Sequence, residues 1–351
     1  PICGRGTTTP LLPPTQRCEF SLMMWSRFNG TDSEWDTLMR SLESASPFAL
    51  SHWSRFKSFG RWSTLRATLG NDDRPVSAVQ IMWFTFFGVV TIAWIPGGTA
   101  GSADLDARDL LHFIKKNVKS RLFYCRISHH IPTDSQMRDS LLRRGWSQPR
   151  VFVGAKETII LKRANGKLAD QSRLSSNWGR NLQRGLKRDN HTTVWTNPDI
   201  DELHKLHNEM TTYKGAKGPS TVPSAESLSQ LVDSMSDAII FTATRDHSQH
   251  LVAVRAAFIY GDKAWDAIAA SNESARKNYS SYACAWRLIE ELDLRGIQQF
   301  DLAGIDDTKN EGVFNFKKGL GGERTAYLGE WDVASTQIFR HIAGVLISRL
   351  V

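Results

Sequence analysis

Cysteine is scarce in this sequence: Cys3, Cys18, Cys125 and Cys284 stand far apart, with no CxxC pair and no histidine partner at zinc spacing. That argues against a disulfide framework or a structural zinc site, and it fits a reducing compartment, the cytoplasm. HExxH, a Walker phosphate loop and a G-x-S-x-G elbow are all missing, so metalloprotease, P-loop and serine-hydrolase chemistry find no anchor. Ten histidines include His129, His130, His204 and His207, yet none joins a ligand set, and no metal is expected. Negative charge is also short. Asp and Glu number 36 against 44 Lys and Arg, and the net charge of +8 biases the chain toward nucleic acid, phosphorylated substrates or an anionic membrane surface.

Residues 1–16, rich in Thr and Pro, lack the charged start and apolar run of a secretory signal and read as a disordered leader. One stretch, residues 76–95, has the length to cross a bilayer and almost no charge. It is rich in Val, Ile, Thr, Phe and Trp, carries Gln80, has Gly88 at its middle and ends at Pro96-Gly97-Gly98. Two buried strands joined near the glycine explain it better than a spanning helix.

The 351 residues are 41% hydrophobic with 12 Trp, enough apolar material for two cores. Periodicity predicts strands at 18–28, 62–69, 76–85, 87–94, 121–128 and 150–161, with helices at 52–59, 104–117 and 135–144. Another helix capped by Ser33 buries Trp35, Leu38, Met39 and Leu42. The second half repeats that order. Helices are expected at 175–188, 200–212, 224–235, 282–295 and 335–350, and strands at 191–196, 238–245, 250–260, 263–270, 298–302 and 326–332. Helices interspersed with strand meanders imply a mixed α/β or α+β architecture. The polar stretch 163–172 sets the division: leader 1–16, first domain 17–165, second domain 166–351.

The segment that invites a chemical reading is Phe300-Asp301-Leu302-Ala303-Gly304-Ile305, followed by Phe316-Lys317-Lys318-Gly319-Leu320-Gly321-Gly322 and Tyr327-Leu328-Gly329-Glu330-Trp331. A strand ending in Asp301 feeds a loop, and Phe316 anchors Lys317 before glycines that let backbone approach a ligand. The plain alternative is a core Phe316, solvated lysines and glycines that only turn the chain. Upstream, residues 175–188 place Arg180, Arg184, Lys187 and Arg188 on one broad helical face, a positive stripe for phosphates or a solvated surface. Gly185 in mid-helix counts against that helix. Residues 156–190 hold nine basic and three acidic side chains, so much of the excess charge lies here. The tail 338–351 has an apolar face that packs on the second domain or lies on a membrane.

Together these motifs resemble the signature of the Fem (FemABX) peptidyltransferases, in which an aspartate-glycine strand leads to a Phe-Lys-basic-Gly-aromatic-Gly-Gly segment and a Tyr-x-Gly-x-Trp-like strand. Leu320 replaces the usual aromatic. Ala269-Ala270-Ser271-Asn272-Glu273, Asn278-Tyr279-Ser280-Ser281-Tyr282, Trp286 and Gly296 resemble the family's middle section. The first half resembles it through Ser51-His52-Trp53, Lys57 and Ile95-Pro96-Gly97-Gly98, with Gly97 where the family usually carries arginine.

The resemblance implies two tandem GNAT-like acyltransferase domains, each a mixed twisted sheet flanked by helices. It also implies transfer of an amino acid from aminoacyl-tRNA to a primary amine of a peptidoglycan precursor, nucleotide-linked or lipid-linked, or of another peptide. The seryl-tRNA-synthetase-like helical arm of some members has no room between Leu206 and Val232. On this reading Lys317, Phe316 and Asp301 are catalytic. Asn278, Tyr279, Tyr282, Ser271, Arg180 and Arg184 bind substrate, and Lys187, Arg188 and Lys318 contact tRNA. No cofactor is expected beyond aminoacyl-tRNA as co-substrate. A cytoplasmic monomer, in transient contact with the inner membrane face, is the corresponding cellular picture.

An aminoacyl ester is already activated, so the enzyme has to juxtapose amine and carbonyl and stabilise the developing oxyanion, duties that suit Lys317. Asp301 either orients the amine or caps the next loop. The alternatives are an acyl-CoA-dependent N-acyltransferase acting on an amino sugar or peptide, and a non-catalytic anion-binding protein. Residues 276–283 contain none of the glycines of an acyl-CoA pyrophosphate loop, which disfavours the former.

Overall fold

A computed structural model describes residues 24–71, 74–101, 106–188, 191–214, 223–235, 238–308 and 310–347. The leader at 1–16 and the start of the strand predicted from residue 18 fall outside the described residues. In the first half the order is β1 (Trp25–Arg27), α1 (Asp32–Ser41), α2 (Ser51–Ser58), β2 (Ser63–Asn71), β3 (Arg74–Phe86), β4 (Val90–Ile95), β5 (Ala100–Gly101), α3 (Ala107–Asn117), β6 (Leu122–Pro132), α4 (Ser135–Arg143) and β7 (Glu157–Lys162). Thr31, not Ser33, caps α1: its hydroxyl accepts from the Glu34 amide while the Glu34 carboxylate accepts from the Thr31 amide. The apolar run at 76–95 is a hairpin, β3 to β4, reversed at Phe87 (φ 48°) and Gly88 (φ 67°). Among the described residues no helix is long and apolar enough to cross a membrane.

The second half continues with α5 (Ser176–Lys187), β8 (His191–Val194), α6 (Ile200–Lys214), α7 (Ala225–Ser234), β9 (Ile239–Arg245), β10 (Leu251–Tyr260), β11 (Lys263–Ser271), α8 (Glu273–Lys277), α9 (Ser280–Leu294), β12 (Gln299–Ile305), α10 (Glu311–Lys318), β13 (Glu323–Ala334) and α11 (Gln337–Ile347). Two of these, α8 and α10, are helices where the sequence reading has connecting loops. The repeated order is also repeated as pairing. In each half an antiparallel meander (β2-β3-β4; β9-β10-β11) runs through a helix (α3; α9) into a strand parallel to the meander's last member (β6 beside β4; β12 beside β11).

The two halves then exchange their last strands. β7 pairs antiparallel with β12 of the second half, and β13 pairs with β7 over residues 323–326 before running along β6 of the first half. One sheet results, in the order β1-β2-β3-β4-β6-β13-β7-β12-β11-β10-β9-β8, with β5 beside β3. Both exchanged strands thus cross the division drawn between residues 165 and 166.

A buried charge cluster fastens β13 to β6. Arg126 Nη1 lies 3.1 Å from Glu330 and Nη2 lies 3.9 Å from Asp332, while its Nε donates to the Tyr124 hydroxyl, which donates to Asp332 at 3.0 Å. Arg340 of α11 reaches the other oxygen of Asp332 at 2.5 Å. Breaking such a buried pair by removing one partner strands a charge, at a cost of about 3–5 kcal/mol. The expectation for α11 needs correction: it packs on the first half's sheet, where Ala343 and Ile347 join Trp62, Met82, Ile92 and Tyr124. The reason is the strand before it, which carries the chain back to that sheet. Residues 348–351 lie outside the described set.

His129 and His130 sit on β6 where it meets β13, His129 opposite Gly329 and the His130 ring edge-on to Tyr327 at 5.6 Å. Burial pushes His129 down to about 3, helped by the neighbouring His130, and burial alone pushes His130 down to about 4. Both therefore fold neutral. An unfolded chain takes up their protons below the ordinary histidine pKa of about 6.5, so the stability they contribute is complete above that pH and is lost as pH falls toward their folded values. Thermal melts between pH 7 and pH 4 should show this loss, with a slope of up to about 1.4 kcal/mol per pH unit for each histidine. In His130→Asn the slope should be shallower, and an unchanged slope would contradict the assignment.

Candidate active site

β11 and β12 pair in parallel at only three positions, Lys263 with Gln299, Ala264 with Phe300 and Trp265 with Asp301, and then part. Their first-half counterparts, β4 and β6, stay paired at six. Where β11 and β12 part, a cleft of about 610 Å³ is lined by Arg255 of β10, Asp266 and Ser271 of β11, Tyr279 and Tyr282 at the start of α9, and Phe316 and Lys317 of α10. Such a concave site with a few convergent polar groups is where a ligand is best held.

Lys317 and Phe316 are in the last turn of α10, a helix where the sequence reading continues the loop that follows Asp301. Asn310 caps this helix by accepting from the Val313 amide. Only 7% exposed, Lys317 donates from Nζ to the carbonyls of Gly304 (2.9 Å) and Ala303 (3.3 Å), which lie past the last β11–β12 pair. Burial pushes the lysine below its ordinary pKa. Asp266 opposes that shift, Arg255 adds to it and Asp301 opposes it.

The glycines after Lys317 serve packing within the chain. A Cβ on Gly319 would lie 2.7 Å from Trp178, one on Gly321 (φ 78°) 2.1 Å from the Arg173 carbonyl oxygen, and one on Gly322 2.6 Å from Ile159. Leu320, in the family's aromatic position, is buried in the second-half core.

Asp301 is not among the residues lining this cleft. It borders a smaller cavity of about 250 Å³, which is also lined by His130, Lys263 and Trp265. Its Oδ1 accepts from Thr158 Oγ1 (2.5 Å) and the Ala303 amide (2.8 Å), and its Oδ2 accepts from the Tyr327 hydroxyl (2.5 Å). Burial raises its pKa while these donors lower it. With both oxygens engaged, Asp301 holds Ala303 in the left-handed conformation (φ 58°), the loop-capping alternative of the sequence reading.

The basic stripe and the middle motif meet at the rim. Arg184 Nη1 donates to the Tyr279 hydroxyl at 3.1 Å and its guanidinium lies 5.3 Å from that ring, while Arg188 Nη1 donates to Asn278 Oδ1 at 3.1 Å. Gly185, the residue that counted against this helix, is required: a Cβ there would lie 2.7 Å from the Tyr279 carbonyl oxygen. Tyr279 itself (φ 58°) turns the chain from α8 into α9 without a glycine. The Tyr282 ring lies tilted against Phe316 at 5.0 Å and edge-on to Trp178 at 5.1 Å, and Arg180, Lys187 and Lys318 are exposed. In the first half, Gly97 faces Ala49 so closely that a Cβ would lie 2.5 Å from it, so no larger side chain fits at the family's arginine position.

Two residues of the cleft escaped the sequence reading. Arg255 Nη1 pairs with Asp266 Oδ2 at 3.0 Å, and its guanidinium lies 4.9 Å from the Phe316 ring. The signal was present: each is a lone charge inside an apolar strand, Ala-Val-Arg-Ala-Ala and Ala-Trp-Asp-Ala-Ile.

A profile of the FemAB family matches residues 198–345. No curated protein matches the chain. Among solved structures, FemX is similar at 13% identity with a TM-score of 0.75, over 91% of this chain and 100% of that one. L-PGS from Bacillus licheniformis follows at 14% identity and 0.55, over 91% and 96%. A tandem GNAT protein from the clavulanic acid biosynthesis pathway has 10% identity and 0.57, over 90% and 99%. At such identities these likenesses concern the fold, and they bear out the tandem GNAT-like architecture.

The glycine contacts are testable by stability. Gly321→Ala forces a left-handed alanine against the Arg173 carbonyl and should cost about 1–3 kcal/mol, read as a lower urea midpoint at unchanged m-value. Gly312→Ala on α10, with nothing near its Cβ, should be neutral or gain up to about 1 kcal/mol.

Proposed function

We propose that this chain, whose residues 198–345 match the FemAB family profile, is an acyltransferase that moves an aminoacyl group from aminoacyl-tRNA to a primary amine, the acceptor being the stem peptide of a peptidoglycan precursor. The observation that carries this reading is the buried Lys317 ammonium, fixed on two backbone carbonyls at the wall of the cleft. A cation preorganised in a water-poor site stabilises an oxyanion without reorganising when charge develops. Phe316, Tyr279 and Tyr282 offer aromatic faces to the terminal adenine of a charged RNA, and Arg180, Arg184, Lys187, Arg188 and Lys318 offer cations to its phosphates. The ester is activated before it arrives, so the reaction calls for no further cofactor. Charged tRNA places the enzyme in the cytoplasm, acting as a monomer. The outward apolar side chains of α11, Ile338, Ile342 and Val345, suit transient contact with the inner membrane face for a lipid-linked acceptor.

The test is transfer of a labelled amino acid from charged tRNA to a panel of stem-peptide amines. Lys317→Ala should lower kcat roughly 10²–10³-fold, the size of losing one oxyanion donor. Activity needs the ammonium form, and burial lowers its pKa, so the rate should fall on the alkaline side at a pH below the ordinary lysine range of about 10.4. RNA affinity should drop steeply with salt. Turnover with acyl-CoA in place of charged tRNA, or a flat salt response, would count for the acyl-CoA reading.

A further inference from the structure

Aminoacyl transfer to an amine needs a destination for the proton that the nitrogen gives up, and Lys317, held as an ammonium, cannot take it. Among the described residues lining the cleft, Asp266 is the sole carboxylate, and there is no histidine. Asp266 stands on β11 one position beyond the last pair with β12, where the strands part. Its side chain is 8% exposed and its valence is half used: Oδ2 accepts from Arg255 at 3.0 Å, while Oδ1 has no donor among the described residues. A buried carboxylate oxygen without a donor is costly, and a polar ligand that supplies one removes the cost. Asp266, Arg255, Phe316 and Lys317 also share a small void of about 10 Å³, so the carboxylate and the ammonium are neighbours at one end of the cleft.

Resting on the aminoacyl-transfer reading above, we infer that Asp266 is a catalytic residue that accepts an N–H of the acceptor amine and takes its proton. The carboxylate's two-fold torsion lets either oxygen face the cleft. The amine nitrogen's lone pair forms the new C–N bond at the ester carbonyl carbon, and the C–O bond to the ribose breaks. The proton leaving nitrogen passes to Asp266 and from there to the ribose oxygen, which departs as a hydroxyl. Arg255 keeps Asp266 ionised and fixed between turnovers, and Lys317 balances the oxyanion. The reacting group is therefore a neutral amine delivered beside a carboxylate. Around Asp266 the charged or titratable groups are Arg255 of β10, Lys317 of α10, Arg276 of α8, Tyr279 between α8 and α9, and Tyr282 and Cys284 of α9, with Asp301 of β12 beyond Lys317. Burial raises the Asp266 pKa, against Arg255 and Lys317, which lower it.

The variant to make is Asp266→Asn, which keeps an oxygen for Arg255 and cannot take up a proton. Its kcat should fall roughly 10²–10⁴-fold, its affinity for charged tRNA should match the wild type, and its pH–rate profile should lose the acid limb produced by protonating Asp266. Asp266→Glu should restore part of the rate together with that limb. Wild-type kcat and an unchanged acid limb in Asp266→Asn would overturn the assignment and send the proton to the substrate itself. If the Asn variant does not fold, the wild-type acid limb decides by its temperature dependence: a carboxyl limb barely moves, whereas a steep shift marks an amine and rejects Asp266. Absence of transfer by the wild-type enzyme from any charged tRNA is a different result, which defeats the aminoacyl-transfer reading.

Discussion

The parting of β11 and β12 is the constraint on which the site depends. A parallel pair that stops after three positions leaves strand-end carbonyls with no neighbour opposite, and buried carbonyls must find donors. Lys317 donates to the Gly304 carbonyl and, together with Thr158 Oγ1, to that of Ala303, so the ammonium fills a structural need and stands in the cleft at the same time. The divergence has a local origin. Asp301, gripped by Thr158, Tyr327 and the Ala303 amide, bends β12 into a bulge between Asp301 and Gly304, and a Cβ on Gly304 would lie 2.2 Å from that of Ala155. In the first half β4 and β6 stay paired at six positions, so among the described residues the same topology does not part there as it does between β11 and β12.

Strand exchange extends that local geometry to the whole molecule. Tyr327 begins the stretch of β13 that pairs with β6, and its hydroxyl holds Asp301. The strand that closes the first half's sheet therefore also positions the loop under Lys317. Further along, Glu330 and Asp332 of the same strand end on Arg126, with Tyr124 and Arg340 completing the cluster. Unpaired, any of these charges would be expensive to bury. Paired, they fix the register of β13 and with it the distance between the halves.

The family profile covers residues 198–345, the part of the second half where the strands part and the cleft lies, whereas likeness of the first half is carried by structure. That division follows from the physics of the two halves. A cleft depends on particular side chains such as Phe316, Lys317 and Tyr282, while a closed sheet accepts any apolar set of suitable volume. Gly97, pressed against Ala49, is one such packing contact in the first half.

The order of strands and helices was written in local periodicity and caps, because period 2 and period 3.6 are properties of neighbouring residues. Ser175 and Ser224 cap the helices expected after them, and the Val76-to-Ile95 run broke into a hairpin at its glycine. The Phe316-Lys317 motif was legible too, but its glycine-rich sequel read as a loop, while Asn310 and burial of Lys317 make it the end of a helix. Which strand lies beside which was not legible: β7 with β12 and β13 with β6 are contacts between residues far apart in sequence, with no local periodicity to announce them. Nor was the gathering of Arg255, Asp266 and Lys317. Each is a single charge in its own segment, and only the sheet, by parting two strands and laying a third element across the gap, makes them one site.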